Sequence, residues 1–143
     1  MTPEKKKFEL HVPSALGNEK VAMEFAASIA KQLDFPPDRI EDLKTAVAEA
    51  CLNAIEHGNK LDESMKVGIT LTVAPGGSLQ VAIQDEGKGV GQVPTPNIES
   101  QVEGKTDPRG WGIFLIKNLM DEVSFESTPE GRNVVKMIIH LKK

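Results

Sequence analysis

The sequence predicts an α+β fold, a two-layer α/β sandwich in which a mixed sheet is covered on one face by helices. Three observations predict it. Apolar residues alternate cleanly at Val67, Ile69, Leu71, Val73 and at Leu79, Val81, Ile83, the period of half-buried strands. Elsewhere they recur at three- and four-residue steps, the period of amphipathic helices. The resulting order, β-α-α-β-β-loop-α-β-β, lacks the regular alternation of a doubly wound parallel sheet.

The elements follow in turn. Lys6–Val12 is a strand with Phe8, Leu10 and Val12 on one side, and Pro13 to Gly17 turns the chain. Asn18 to about Leu33 is a helix on the spacing of Val21, Phe25, Ile29 and Leu33. The next helix runs from Asp38, its expected N-cap, to a stop at Gly58-Asn59. Its apolar face is Ile40, Leu43, Val47, Ala50, Cys51 and Ala54, and Leu52 and Ile55 extend that face. A polar loop, Asn59–Ser64, leads to the strand Val67–Val73. Pro75-Gly76-Gly77-Ser78 is a hairpin turn, and the returning strand ends at Asp85. Glu86 to Arg109 is long, rich in glycine and proline, and without repeat, the mark of a functional or mobile loop. Trp111–Met120 is a helix, Val123–Ser127 a strand, Thr128–Arg132 a turn and Asn133–Leu141 the last strand.

The 143 residues carry one core's worth of apolar content (39%), ordinary charge (27%) and a net charge of -4. One domain over residues 1–143 is expected. The acidic balance argues against nucleic acid as a partner. No apolar run reaches the ~18–20 residues a membrane span needs, so no membrane partner is expected. A single cysteine, Cys51, fits a reducing cytoplasm, and its place on the apolar helix face points to packing.

Three stretches carry chemistry. The central helix leaves a narrow polar stripe, Glu49, Asn53 and Glu56, with His57 at its edge. A carboxylate and an amide one turn apart on a largely buried helix can serve one centre; the stripe is equally readable as the wet side of the helix. Asp85-Glu86-Gly87-Lys88-Gly89-Val90-Gly91 follows a strand, where glycines let backbone approach a ligand and an aspartate can accept from an exocyclic amine. Arg109-Gly110-Trp111-Gly112-Ile113 opens a helix, where unpaired N–H groups and the dipole favour an anion. If polyphosphate lies there, Mg²⁺ held by the Asn53 carbonyl would neutralise it, and Glu49 could take a proton from an attacking nucleophile. His11, His57, His140 and Cys51 lack zinc-ligand spacing.

The order of these stretches resembles a known family. Glu49-xxx-Asn53-xxx-His57-Gly58 looks like the N-box of the ATPase fold shared by gyrase, sensor histidine kinases and anti-sigma-factor serine kinases. Asp85-Glu86-Gly87-Lys88-Gly89 looks like its first glycine box. Arg109-Gly110-Trp111-Gly112-Ile113-Phe114-Leu115-Ile116 looks like the second. Leu119-Met120-Asp121-Glu122-Val123 is similar to the bacterial anti-sigma-factor serine/threonine kinases in particular.

The resemblance implies a Bergerat-type ATP site. Adenine would lie on Asp85, Mg²⁺ on Asn53 and phosphates at Gly110 and Gly112. His57, Gly87, Gly89, Val90, Arg109, Trp111 and Ile113 would complete the binding residues, Glu49 would be the catalytic base, and residues 86–109 the ATP lid. The implied substrate is a serine or threonine on a STAS-type anti-anti-sigma protein, with a sigma factor as competing partner and a homodimer as the usual assembly. Many relatives carry Gly-Thr before the last strand; here Gly131-Arg132-Asn133 departs from the family at a hydroxyl contact to the nucleotide. Trp111 is bulky between two glycines. The alternative is a non-catalytic ATP-binding module that sequesters a regulator.

Overall fold

The structure is a computed structural model, and it describes residues 6–87 and 108–140. Among the described residues there are five strands and three α-helices: β1 (Lys6–Pro13), α1 (Glu19–Gln32), α2 (Pro37–Asn53), β2 (Lys66–Val73), β3 (Leu79–Gln84), α3 (Pro108–Leu119), β4 (Glu122–Ser127) and β5 (Asn133–Ile139). The first and last few residues, and residues 88–107 of the expected lid, lie outside the described residues.

The strands form one sheet in the order β1-β2-β3-β5-β4, and α2 packs between α1 and α3. The α+β architecture agrees with expectation, but the sheet is antiparallel throughout, not mixed. The reason is local. The chain leaves β3, passes through α3 and returns as β4, which runs in the same direction as β3. A tight turn at Thr128–Arg132 then folds β5 back into the gap between them. No parallel pair forms, because β5 separates the two strands that would have made it.

Alternation sends Ile69, Leu71, Leu79, Val81, Ile83, Met137 and Ile139 under the helices, all fully or almost fully buried. The β2–β3 turn forms as expected, with Gly76 and Gly77 at φ of 97° and 96°, a region that L side chains avoid. On α2 the expected face is buried: Ile40, Leu43, Val47, Ala50, Cys51 and Ala54.

Two helix expectations are corrected. α1 does not use Val21, which is 49% exposed; its buried face is Ala22, Ala26, Ala27, Ile29 and Ala30. Small residues let α1 lie close to α2, and the larger Phe25 and Leu33 pack at the margin. α2 is capped by Pro36 rather than Asp38. Pro37 occupies the first helical position, where its missing N–H costs nothing, and Asp38 sits in the first turn facing the positive end of the dipole.

One further departure bears on the site. The last turn of the central helix, Ala54–Gly58, is π-helical, and the Asn59 N–H bonds Ala54 O at 2.8 Å. A widened turn changes the phase of everything after it.

Candidate functional site

Asp85 stands one residue past β3 and is 3% exposed. A buried carboxylate needs donors, and backbone and amide groups of Gly87 and Asn133 are among those that face it. Its Oδ1 accepts from the N–H groups of Gly87 and Asn133, both at 3.2 Å, and its Oδ2 from Asn133 Nδ2 at 3.3 Å. The Asp85 N–H in turn donates to Asn133 O at 3.1 Å, so the β3–β5 ladder continues one step to clamp the two residues together.

Behind this pair, the π turn brings Gly58 against Asp85. A Cβ at position 58 would overlap Asp85 Oδ2 and stand 2.5 Å from its Cγ, so no side chain fits there. A Cβ on Gly87 would likewise overlap the Gly58 carbonyl. Gly87, expected to permit close approach to a ligand, and Gly58, expected as a helix stop, both permit close approach of the protein to itself.

Asn59 fastens the far side. It is 2% exposed and every polar atom of its amide is used. Its Oδ1 accepts from the Glu86 N–H at 2.8 Å, and its Nδ2 donates to Ser14 Oγ at 2.8 Å and Lys66 O at 3.1 Å. Ser14 Oγ in turn donates a hydrogen bond to Met65 O at 2.8 Å. The segment after β3 is therefore held from two sides, by Asn133 and by Asn59.

A small cleft of about 30 Å³ opens beside Asp85. Ala50, Ala54, Ile83, Ile113, Phe125 and Val135 form its apolar walls. Asp85, Asn133 and Asn53 supply the polar groups. Apolar walls with a few convergent polar groups are the usual lining of a small-molecule site.

The second part of the site lies between α2 and α3. Glu49 and Asn53, one turn apart, both face Gly112: a Cβ there would come within 2.8 Å of Glu49 Oε2 and 3.6 Å of Asn53 Nδ2. The helix carrying Gly112 begins at Pro108, three residues earlier than expected. Gly110 therefore falls in the first turn, where N–H groups have no intrahelical partner, and Gly112 in the second. Gly112 thus serves the close approach of Glu49, and the N–H groups with no intrahelical partner belong to residues 109–111.

Of the expected site residues, the structure brings together Glu49, Asn53, Asp85, Gly87, Gly112 and Ile113. His57 does not join them. It is exposed, because the π turn carries it off the stripe that Glu49 and Asn53 share. Gly89, Val90 and the side chains of Arg109 and Trp111 lie outside the described residues. Asn133 and Asn59 were not among the expected binding residues. The break from Gly-Thr at Arg132-Asn133 was the one sequence signal for the first; nothing local marked the second.

As to a metal, no three His, Cys, Asp or Glu side chains cluster among the described residues. The donor set beside Gly112 is one amide and one carboxylate. That set fits Mg²⁺, which keeps several waters and takes few protein oxygens. No helix among the described residues is long and apolar enough to cross a membrane.

The family model described as "Histidine kinase-like ATPase domain" matches residues 12–139. The chain is 34% identical over 142 residues to a Bacillus subtilis protein named anti-sigma F factor, covering 96% of this chain and 95% of that one. A Heyndrickxia coagulans protein of the same name is 28% identical over 138 residues, covering 96% and 94%. Among solved structures, the RsbU and RsbW domains of a Mycobacterium tuberculosis protein superpose with a TM-score of 0.67 at 14% identity, over 94% of this chain and 32% of that one. The SiaB–SiaC complex from Pseudomonas aeruginosa contributes a chain with a TM-score of 0.63 at 11% identity, over 92% and 88%. These two share the fold.

Proposed function

The chain belongs to the histidine kinase-like ATPase domain family, within its anti-sigma-factor branch, and from that premise we propose that it is an ATP-dependent protein serine/threonine kinase. It would act in the cytoplasm as an anti-sigma factor or similar switch regulator. Its substrate would be a serine or threonine of a STAS-type anti-anti-sigma protein, with a sigma factor as the competing partner.

The observation that carries this reading is the placement of Glu49. Its carboxylate lies against Gly112, beside Asn53 and one turn from the N–H groups that open α3 without an intrahelical partner. A nucleotide with its base on Asp85 would direct its phosphates toward those N–H groups, which attract anions without any side-chain charge. Asn53 would hold Mg²⁺, whose chemistry there is to offset phosphate charge. Glu49 then stands where an incoming hydroxyl must approach. It would take the hydroxyl proton as the oxygen attacks the γ-phosphorus and the bond to ADP breaks. Binding and sequestration alone give no use to a carboxylate at this point.

The test is incubation with labelled ATP, Mg²⁺ and a STAS-domain partner. Glu49→Gln should bind ATP–Mg²⁺ about as well as wild type yet transfer phosphate at least ~100-fold more slowly, because it removes an interaction made only in the transition state. Asn53→Ala should lose Mg²⁺-dependent affinity first. A wild type that binds ATP but phosphorylates no STAS partner, with Glu49→Gln still sequestering its regulator, would make the protein a binding module.

A further inference from the structure

β2 stays paired with β1 through Val67 and Lys66, but its pairing with β3 stops at Gly68 and Gln84. The same register continued would set Glu86 opposite Lys66. Those two residues instead face each other across the side chain of Asn59, whose Oδ1 accepts the Glu86 N–H at 2.8 Å and whose Nδ2 donates to Lys66 O at 3.1 Å. The amide takes the place of a ladder rung, like a peptide group inserted between two strands. Resting on the ATP-site reading above, we propose that Asn59 is a positioning residue for nucleotide binding: its amide holds β3 off β2 and thereby fixes the path on which Asp85 leaves the sheet.

The amide cannot turn away. The Asn59 N–H is tied into the π turn at Ala54 O, 2.8 Å off, and the Asn59 carbonyl accepts from the Asp62 N–H at 3.0 Å. Nδ2 has a second acceptor in Ser14 Oγ at 2.8 Å. Amide nitrogen and oxygen are told apart by such partners. Flipping the group would set Nδ2 against the Glu86 N–H and Oδ1 against the Lys66 carbonyl, donor on donor and acceptor on acceptor.

What the amide keeps apart would otherwise join. The Glu86 N–H is a donor and Lys66 O an acceptor, and the Lys66 N–H already reaches across to the Glu86 carboxylate. Without the amide the ladder closes by one more rung, because that pairs two groups otherwise left bare. Closure straightens the chain at Glu86. In the structure the chain turns there instead. The Gly87 N–H folds back onto Asp85 Oδ1 at 3.2 Å, an Asx turn, and Gly87 lies so close to the Gly58 carbonyl that a Cβ on it would overlap that oxygen. Extended backbone at Glu86 carries the Gly87 N–H away from Asp85. Asn59 therefore acts on Asp85 through Glu86 and Gly87, without itself touching the nucleotide.

The experiment measures ATP affinity by calorimetry on wild type, Asn59→Ala and Ser14→Ala, each well below its melting temperature. Asn59→Ala should bind ATP about tenfold more weakly, the worth of one hydrogen bond lost to the Asp85 carboxylate. Its Gly87 amide should also exchange hydrogen faster than in wild type. Ser14→Ala removes the support behind Asn59 but leaves both bonds across the strands, so it should lose stability and keep wild-type affinity and Gly87 exchange. Asn59→Ser, too short to span the two strands, gives the same comparison if the alanine variant does not fold. Unchanged affinity on loss of the Asn59 amide, or equal weakening in Ser14→Ala, would mean that Asn59 merely supports the fold, and would overturn the proposal while leaving the ATP site standing. Wild type binding no ATP would overturn both.

Discussion

The Asp85 side chain occupies the space that any residue larger than glycine would need at position 58: a Cβ there would stand 2.7 Å from Asp85 Cβ and overlap its Oδ2. Both groups are backbone-held, so neither can give way cheaply. Gly58→Ala is expected to cost about 1–3 kcal/mol in stability through overpacking. The variant that folds should bind ATP at least roughly tenfold more weakly, because the displaced carboxylate no longer meets the base. Thermal melts with calorimetry check this. A folded variant with wild-type affinity would show that Asp85 is not the base-reading group.

Asn59→Ala tests the opposite wall. The change leaves the Glu86 N–H and the Lys66 carbonyl without their amide partner. The expected loss is about 2–3 kcal/mol, measured by urea unfolding. A loss under about 0.5 kcal/mol would mean that water replaces the amide without cost.

Arg39 joins the start of α2 to the α3–β4 junction. It bonds Asp121 at 2.9 Å and Asp42 at 3.0 Å, and Asp121 also accepts from the His140 N–H at 2.7 Å. The Asp121 side chain is 15% exposed and that of Asp42 is 35%. Double-mutant cycles should give a coupling with Asp121 of about 2 kcal/mol and one with Asp42 below about 1 kcal/mol, since solvent screens the more exposed pair. Reversed couplings would show that burial is not what distinguishes them.

Burial pushes the Cys51 thiol up to about 12, with the charge of Glu19 adding to the effect. Native protein near pH 8 should therefore resist thiol reagents that label it at once in denaturant. The sign for stability follows. The thiol ionises near 8.5 when unfolded and far higher when folded. Its contribution is full below about pH 8.5 and is lost progressively as pH rises toward the folded value. Cys51→Ala should lose stability less steeply than wild type between roughly pH 8.5 and 11. Parallel curves would assign the alkaline loss to other groups.

The strands and the α2 face were legible because burial imposes a period, and Val67–Val73 or Ile40–Ala54 carry that period without interruption. Asp85 and Gly112 were singled out by the order of three short motifs and their resemblance to a family, since each motif alone reads equally as an ordinary glycine turn or helix entry. Asn59 and Asn133 were not. Their roles come from partners 27 and 48 positions away, and no local pattern encodes such pairings. The π turn escaped notice for a related reason: Gly58 reads as a helix stop, and only its approach to Asp85 reveals the altered phase. The antiparallel sheet was missed because element order does not say where a returning strand will insert.

The clamp between β3 and β5 also bears on folding kinetics. The β2–β3 hairpin closes locally, but the bonds between Asp85 and Asn133 require 48 positions of intervening chain to fold back first. Contacts so distant in sequence are expected to form late, after the rate-limiting barrier. A nucleotide bound at Asp85 would then gain its binding energy only on the native side of that barrier. It is therefore expected to slow unfolding while leaving refolding at its unliganded rate, a split that stopped-flow with and without nucleotide reads directly.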